Sequence, residues 1–211
     1  MIYQCRSISL QYMKYSESSI IVKILTEKNG VQNFIIKGVR KRRSKNKLGL
    51  FEPLTLLEIT ANYRPKNNLQ QLKEVSLAVA GNTTIENKLL KIFIAEVLSK
   101  CLLEGKKDPE LFHFIWELTI KTNLLTAIDK NFPLVFLINL AEKLGFSADY
   151  NDLSIINNNS PENLKILLDN RNIQLSKEKR KQILGYLFDY YALHDHELLN
   201  IKSHVVIESL N

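Results

Sequence analysis

Between Tyr3 and Val79 apolar and polar residues alternate in short runs: "YQCRSISLQYM", "SSIIVKIL", "VQNFIIKGV", "LFEPLTLLEIT" and "LQQLKEVSLAV". A period of two with β-branched and aromatic residues predicts strands, and five strands in so short a segment predict a small closed or nearly closed barrel. Turn residues separate the runs. In "TEKNG" the pair Asn29 and Gly30 is placed to supply the positive φ of a tight hairpin. "ANYRPKNN", with its Pro and Asn pair, reads as a loop between the fourth and fifth runs.

Past "AGNTT" the period becomes helical. Ile85, Leu89, Phe93, Val97 and Cys101 share a face with Leu90, Ile94 and Leu98 beside them, while Glu86, Lys91, Glu96 and Lys100 point elsewhere. A second helix opens at "DPELFHFIWELTIK", with Asp108 as N-cap and Pro109 as first helical residue. A third, "PLVFLINLAEKLGF", is apolar nearly all round except at Asn139, Glu142 and Lys143, and should form a buried centre that ends at Gly145. A polar, Asn-rich connection follows, carrying a short helix capped by Ser160 and Pro161. The last helix, "SKEKRKQILGYLFDYYALH", turns Ile183, Leu184, Leu187, Phe188 and Tyr191 inward. The expected architecture is α+β, a barrel over residues 1–80 followed by an all-α domain over 81–211.

Charge changes this picture in one place. The chain of 211 residues carries a formal charge of +7, and it is unevenly spread. Residues 1–80 hold 14 Lys and Arg against 5 acids, while residues 81–211 hold 15 against 17. The excess is therefore a property of the barrel. Half of the 14 basic residues sit in "KGVRKRRSKNK", where Lys37, Arg40, Lys41, Arg42, Arg43, Lys45 and Lys47 fall between the third and fourth runs with no acid among them. A solvated hairpin tip or a localisation tag is the plain alternative. Seven like charges in one loop repel unless something neutralises them, however, and a polyanion does so with release of counterions. Charge alone does not say which strand form or sequence is bound.

Aromatic residues lie in or beside the same strands: Tyr3, Tyr12, Tyr15, Phe34, Phe51 and Tyr63. A single-strand-binding barrel combines a positive groove with rings on which bases stack. At least half of these rings are expected to fill the barrel. Tyr63, beside Arg64 and Lys66, is the leading stacking candidate.

Other clusters carry less. "HDH" at 194–196, with Glu197 and His204 near, lacks the spacing that converges on one ion, so a solvated helix end is expected and no metal. Lys177, Lys179, Arg180 and Lys181 put positive charge where the helix dipole favours acids; they are candidates for an acidic partner peptide. Cys5 and Cys101 are far apart with no CxxC, so Cys101 reads as core, although a single bridge is allowed. No phosphate-cradling glycine loop or nucleophile motif is present, and catalysis is not expected. No leader pattern and no apolar run of about 18 residues occurs, so the expected location is the cytoplasm with no membrane association.

The local words add more. "KYSESSIIVKILTEKNG", then "KGVRKRRSKNK", "LFEPLTLLE" and "LQQLKEV", and further on "DPELF", "LGF", "DYYALH" and "IKSHVVIE", resemble in order and spacing the bacterial recombination mediator family RecO. The resemblance spans nearly the whole chain. It implies an oligonucleotide-binding (OB) fold for the barrel and a role in DNA damage repair at the nucleoid. It further implies binding to single- and double-stranded DNA, annealing of complementary strands, and work with RecR to load RecA onto DNA coated by single-stranded DNA-binding protein, whose acidic C-terminal tail docks on the helical domain. The family's basic turn maps to Lys37, Gly38 and Arg40, extended by Lys41 to Arg43. Two departures are visible: Ser16 stands where the family's turn usually has Gly, and the four-cysteine zinc module of many members has no counterpart, so no zinc or other cofactor is expected. A ribosome- or RNA-associated OB-fold protein with a helical docking domain, and a pure protein adaptor, are the competing readings.

Overall fold

The computed structural model describes residues 1–39, 45–65, 67–81, 84–125, 127–146, 173–194 and 201–203, with residues 45 and 46 described for their backbone only. It divides into two compact units, Met1–Thr126 and Ala127–Asn211.

In the first unit five strands close into a barrel in the order β1-β2-β3-β5-β4. They are β1 (Ile2–Lys14), β2 (Ile20–Thr26), β3 (Gly30–Ile36), β4 (Leu56–Asn62) and β5 (Leu69–Val79). β1 is long enough to serve two neighbours: Ile2 to Ile8 pair with β4, and Ser7 to Lys14 pair with β2. A bulge at Leu10, where the register skips from Ser9 to Gln11, bends the strand between these two duties. All pairings are antiparallel except β3 with β5, which run parallel over only Asn33 to Ile35. The interior is apolar, built from Cys5, Ile20, Val22, Ile24, Phe34 and Phe51 among others.

The β2–β3 hairpin follows the expected place with a different geometry. Only Gly30 has positive φ, at 64°, and Asn29 does not share it. Thr26 is the reason: its hydroxyl donates to the Gly30 carbonyl at 2.8 Å and accepts from the Asn29 amide at 3.1 Å, closing a three-residue turn that ends in a left-handed glycine. Gly30 is also a point of close approach. A Cβ there would lie 2.1 Å from the Lys106 carbonyl oxygen, so both the dihedral and the space demand glycine.

The fourth strand is shorter than its apolar run. "LFEPLT" is not strand: after a one-turn helix α1 (Lys45–Leu48), Gly49–Phe51 form a 3-10 turn and Leu54 takes a left-handed φ of 54°. The alternation there reflects two turned side chains rather than a pleat: Phe51 enters the interior cluster, Leu54 stands outside it, and both are fully buried. β1 holds the segment in place. Ser9 Oγ donates to the Phe51 carbonyl at 3.0 Å, and the Leu54 amide donates to the Ser9 carbonyl at 2.8 Å.

Two helices complete this unit. Helix α2 (Ile85–Cys101) packs on β1 and against α3 (Pro109–Leu124). Ile8 and its cross-strand partner Leu25 are buried yet stand outside the interior cluster, on the outer surface of the barrel. β1 is thus apolar on both faces. The expected inward stripe of α2 holds from Phe93 to Cys101, whereas Ile85 in the first turn is 72% exposed. Specific contacts fix the helices: Lys23 Nζ donates to the Ser99 carbonyl at 2.7 Å, and the Arg6 guanidinium lies 5.0 Å from the Trp116 ring centre. The same guanidinium bonds the Glu27 carboxylate at 2.7 Å. Asp108 caps α3 as the sequence predicts, accepting from the Leu111 amide at 2.9 Å.

The second unit contains α4 (Phe132–Leu144) and α5 (Lys177–Leu193). α4 is buried along most of its surface, from Leu134 to Ala141, and stops at Gly145 with φ 94°. α5 turns Ile183, Leu184, Leu187, Phe188 and Tyr191 inward as expected, with Tyr190 besides. The Tyr191 hydroxyl donates to the Leu137 carbonyl at 2.6 Å. The helix anticipated at Ser160 and Pro161 lies outside the described residues.

Candidate nucleic-acid interface

Parallel pairing between β3 and β5 ends at Ile35 and Gln71, and past that point the two strands part. A cleft of about 440 Å³ occupies the gap. Its apolar lining includes Val39, Phe51, Leu72 and Val75, which belong to the barrel interior or pack against it. Around this lining stand Lys37 at the end of β3, Lys47 on α1 and Lys73 on β5, all three exposed. No acid lines it among the described residues. Three amines around an apolar slot on a barrel give phosphates a place to bind and bases a surface to cover.

The expected site residues fall in several places. Lys37 and Lys47 come together at this cleft. Arg40, Lys41, Arg42, Arg43 and Lys66, and the side chain of Lys45, lie outside the described residues. Tyr63 and Arg64 stand elsewhere. The loop that carries them feeds Leu69, which pairs with Asn33, so it meets β3 before the cleft begins. Arg64 is exposed, but Tyr63 is half-buried and packs against the barrel interior, and its amide donates to the Met1 carbonyl at 2.8 Å. Gln70 ties that loop through the Arg64 amide and the Arg64 and Asn67 carbonyls.

Of the other rings, Tyr3, Phe34 and Phe51 are core. Burial pushes the Tyr3 hydroxyl up to about 12, as expected for an interior phenol. Tyr15 is 60% exposed. It follows Lys14, which pairs with Ile20, which in turn pairs with Ile36, so the register sets Tyr15 at the cleft end of the barrel.

Sequence reasoning missed Lys73. Within "LQQLKEV" it looks like one member of a solvated strand face, and only the parting of β3 from β5 turns it toward Lys37. Lys177, Lys179 and Lys181 are exposed on the first turns of α5, while the Arg180 guanidinium donates to the Leu175 carbonyl just before the helix. Glu178, in the same turn, has its carboxyl held below the usual range by backbone N–H and Ser176. His194 stacks on Phe146 at 4.4 Å and meets Tyr190 edge-on at 4.9 Å, while the rest of "HDH" and its acidic neighbour lie outside the described residues. Cys5 and Cys101 are both free and buried, so they form no bridge. Burial raises the Cys101 thiol to about 12, which suits a core residue. Among the described helices none is long and apolar enough to cross a membrane.

A closed five-stranded barrel whose third strand runs parallel to its fifth, with a short helix between strands three and four, is an OB fold. Comparison with known proteins narrows the class. Residues 1–80 match the family described as "Recombination protein O N terminal". The DNA repair protein RecO of Christiangramia forsetii is 30% identical over an alignment covering 100% of this chain and 99% of the relative. Those of Azobacteroides pseudotrichonymphae, 26% identical over 100% and 99%, and Bacteroides fragilis, 30% identical over 72% and 64%, are also similar. The chain therefore belongs to the RecO family of DNA repair proteins. The alignment with the first relative runs over 242 positions, more than this chain's 211 residues, so that relative carries segments absent here.

Proposed function

We propose that this protein is a recombination mediator that binds single- and double-stranded DNA through its barrel and anneals complementary strands. With RecR, it helps load RecA onto DNA coated by single-stranded DNA-binding protein. One observation carries the reading: a lysine-edged cleft, free of acids among the described residues, on the OB barrel of a chain that belongs to a DNA repair family. Bringing two polyanions together requires neutralising both. Lys37, Lys47 and Lys73 supply that charge at the cleft, and Arg40 to Arg43 with Lys45 extend it along the chain. Lysine contacts to phosphate carry no base code, which suits a protein that must accept any sequence. Arg64 and Lys66 add charge on the loop before β5, apart from the cleft, with Tyr63 beside them. Lys177, Lys179, Arg180 and Lys181 on α5 are the proposed seat for the acidic tail of the single-stranded DNA-binding protein. The protein acts in the bacterial cytoplasm at the nucleoid.

Fluorescence-monitored annealing of two complementary oligonucleotides tests this. The wild-type protein should speed annealing at low salt and lose the effect as salt rises. Replacing Lys37, Lys47 and Lys73 together by Gln should lower the slope of log affinity against log salt for a single strand by about 2, at roughly 0.7 for each phosphate no longer neutralised. Absence of binding and annealing by the wild-type protein would sink the reading.

A further inference from the structure

The same two elements that border the lysine-edged cleft also border a second one, of about 380 Å³, within the first unit. Lys47 and Phe51 line the first cleft, whereas Gly49 and Glu52 line the second. Gln71 to Val75 of β5 line the first, and Leu77 and Val79, further along the same strand, line the second. The two are successive stations along β5 with the α1 segment between them.

The second cleft has the chemistry of a built site. Tyr12, Leu77, Val79 and Ile92 are large apolar or aromatic side chains on its wall, and each is more than a third exposed, from 36% at Val79 to 48% at Leu77. Lys88 and Lys91 project into it from α2, three residues apart and so on one face of the helix. Asn123 of α3 is only 7% exposed, lines the cleft, and has a carboxamide oxygen with no hydrogen-bond partner. The Asn123 Oδ1 and the Lys91 Nζ both crowd the place a Cβ on Gly81 would take, at 2.7 and 2.9 Å, so acceptor and amine face the same space. Among the described residues Glu52 is the one acid in the lining, against two lysines, which leaves that lining positive. Burial lowers the affinity of Lys91 for its proton, a penalty that an incoming anion removes.

We propose that single-stranded DNA held at the first cleft continues past the α1 segment into the second. There Lys88 and Lys91 take phosphates and Tyr12 stacks on a base. The inference rests on the DNA-binding reading above. Nucleic acid fits this lining in two ways at once: a flat ring for the apolar walls and successive anions for two lysines on one helical face.

Two measurements decide it. In the first, the double variant Lys88→Gln and Lys91→Gln is titrated with a single-stranded oligonucleotide at several salt concentrations, with its thermal midpoint measured alongside. The slope should fall by about 1.4 for two phosphate contacts, with the midpoint unchanged. If the wild-type protein binds and the first-cleft variant weakens that binding while the Lys88 and Lys91 variant keeps the wild-type slope, the second station is wrong and the DNA-binding reading survives. If the wild-type protein binds no strand, both fall together. The second measurement leaves the lysines intact. Tyr12→Trp places an indole in the cleft, read against the sole native tryptophan, Trp116, which is 5% exposed. Single-stranded DNA should quench the new fluorophore; no quenching by a strand that demonstrably binds, or a change produced by an acidic peptide and not by DNA, overturns the proposal.

Discussion

β1 and β5 are the two longest strands of the same barrel, and they meet opposite fates. β1 is buried on both faces through its middle, with Cys5 inward and Ile8 outward, and α2 packs against it. β5 has Gln70 as its sole fully buried residue; even Leu72 and Val75, which pack against the interior, are only half-buried. The difference teaches how one small barrel divides its apolar surface between support on one strand and exposure on another. Apolar surface on β1 is spent on holding two helices, while the apolar residues of β5 stay accessible between lysines, where a ligand can cover them.

The contrast can be broken most sharply on β1. Ile8→Ala removes side-chain atoms from a fully buried site and should cost about 2 to 5 kcal/mol. Leu77→Ala on β5, where the side chain is 48% exposed, should stay within about 0.5 kcal/mol. Urea midpoints of the two variants compare them directly, and equal losses would show that β5 is as much a structural strand as β1.

A smaller effect is expected at Arg6, on the outer face of β1. Its guanidinium sits over Trp116 and bonds Glu27, and Arg6→Ala should lower stability by about 1 kcal/mol, seen as a drop in thermal midpoint. Arg6→Lys should recover only part of it, because an ammonium neither stacks flat nor bonds a carboxylate through two nitrogens. Full recovery would mean that charge alone acts there.

The smallest effect concerns pH. The hydrogen bond from Arg6 holds the Glu27 carboxyl below its usual range. A group whose folded value is depressed stabilises above its unfolded value, near 4.3, and loses that contribution as pH falls through the folded one. The pair is a third or more exposed, so the contribution should be below about 1 kcal/mol. Wild-type and Glu27→Gln urea midpoints should differ near neutrality and converge in acid, once pH lies below the depressed folded value. A gap that persists there would assign the effect to packing.

How much of this was legible follows from what each signal encodes. The fifth run, "LQQLKEVSLAV", coincides with β5, and the caps at Asp108 and Gly145 are where local chemistry puts them. Such features depend on neighbouring residues and can be read locally. Strand order cannot, since nothing in β3 or β5 alone announces a three-residue parallel pairing; the OB fold was legible only through the resemblance. The fourth run misled because Phe51 and Leu54 mimic a pleat, although only Phe51 joins the barrel interior. Charge pointed to the basic stretch, of which Lys37 and Lys47 border the first cleft. It passed over Lys73, Lys88 and Lys91, which look like ordinary surface lysines until the fold lays them beside apolar walls.

The close approach of Gly30 to Lys106 bears on where the chain can be divided. The family match ends at residue 80, which invites a fragment stopping there. Yet the segment after α2 reaches back to the first hairpin, with Gly105 donating its amide to the Val31 carbonyl at 2.9 Å and Glu104 bridging to the same strand. A fragment ending at residue 80 would uncover Ile8, Leu10 and Leu25 on one flank of the barrel, a sticky patch that favours self-association. The smallest piece suited to separate expression is the whole of Met1–Thr126, helices included.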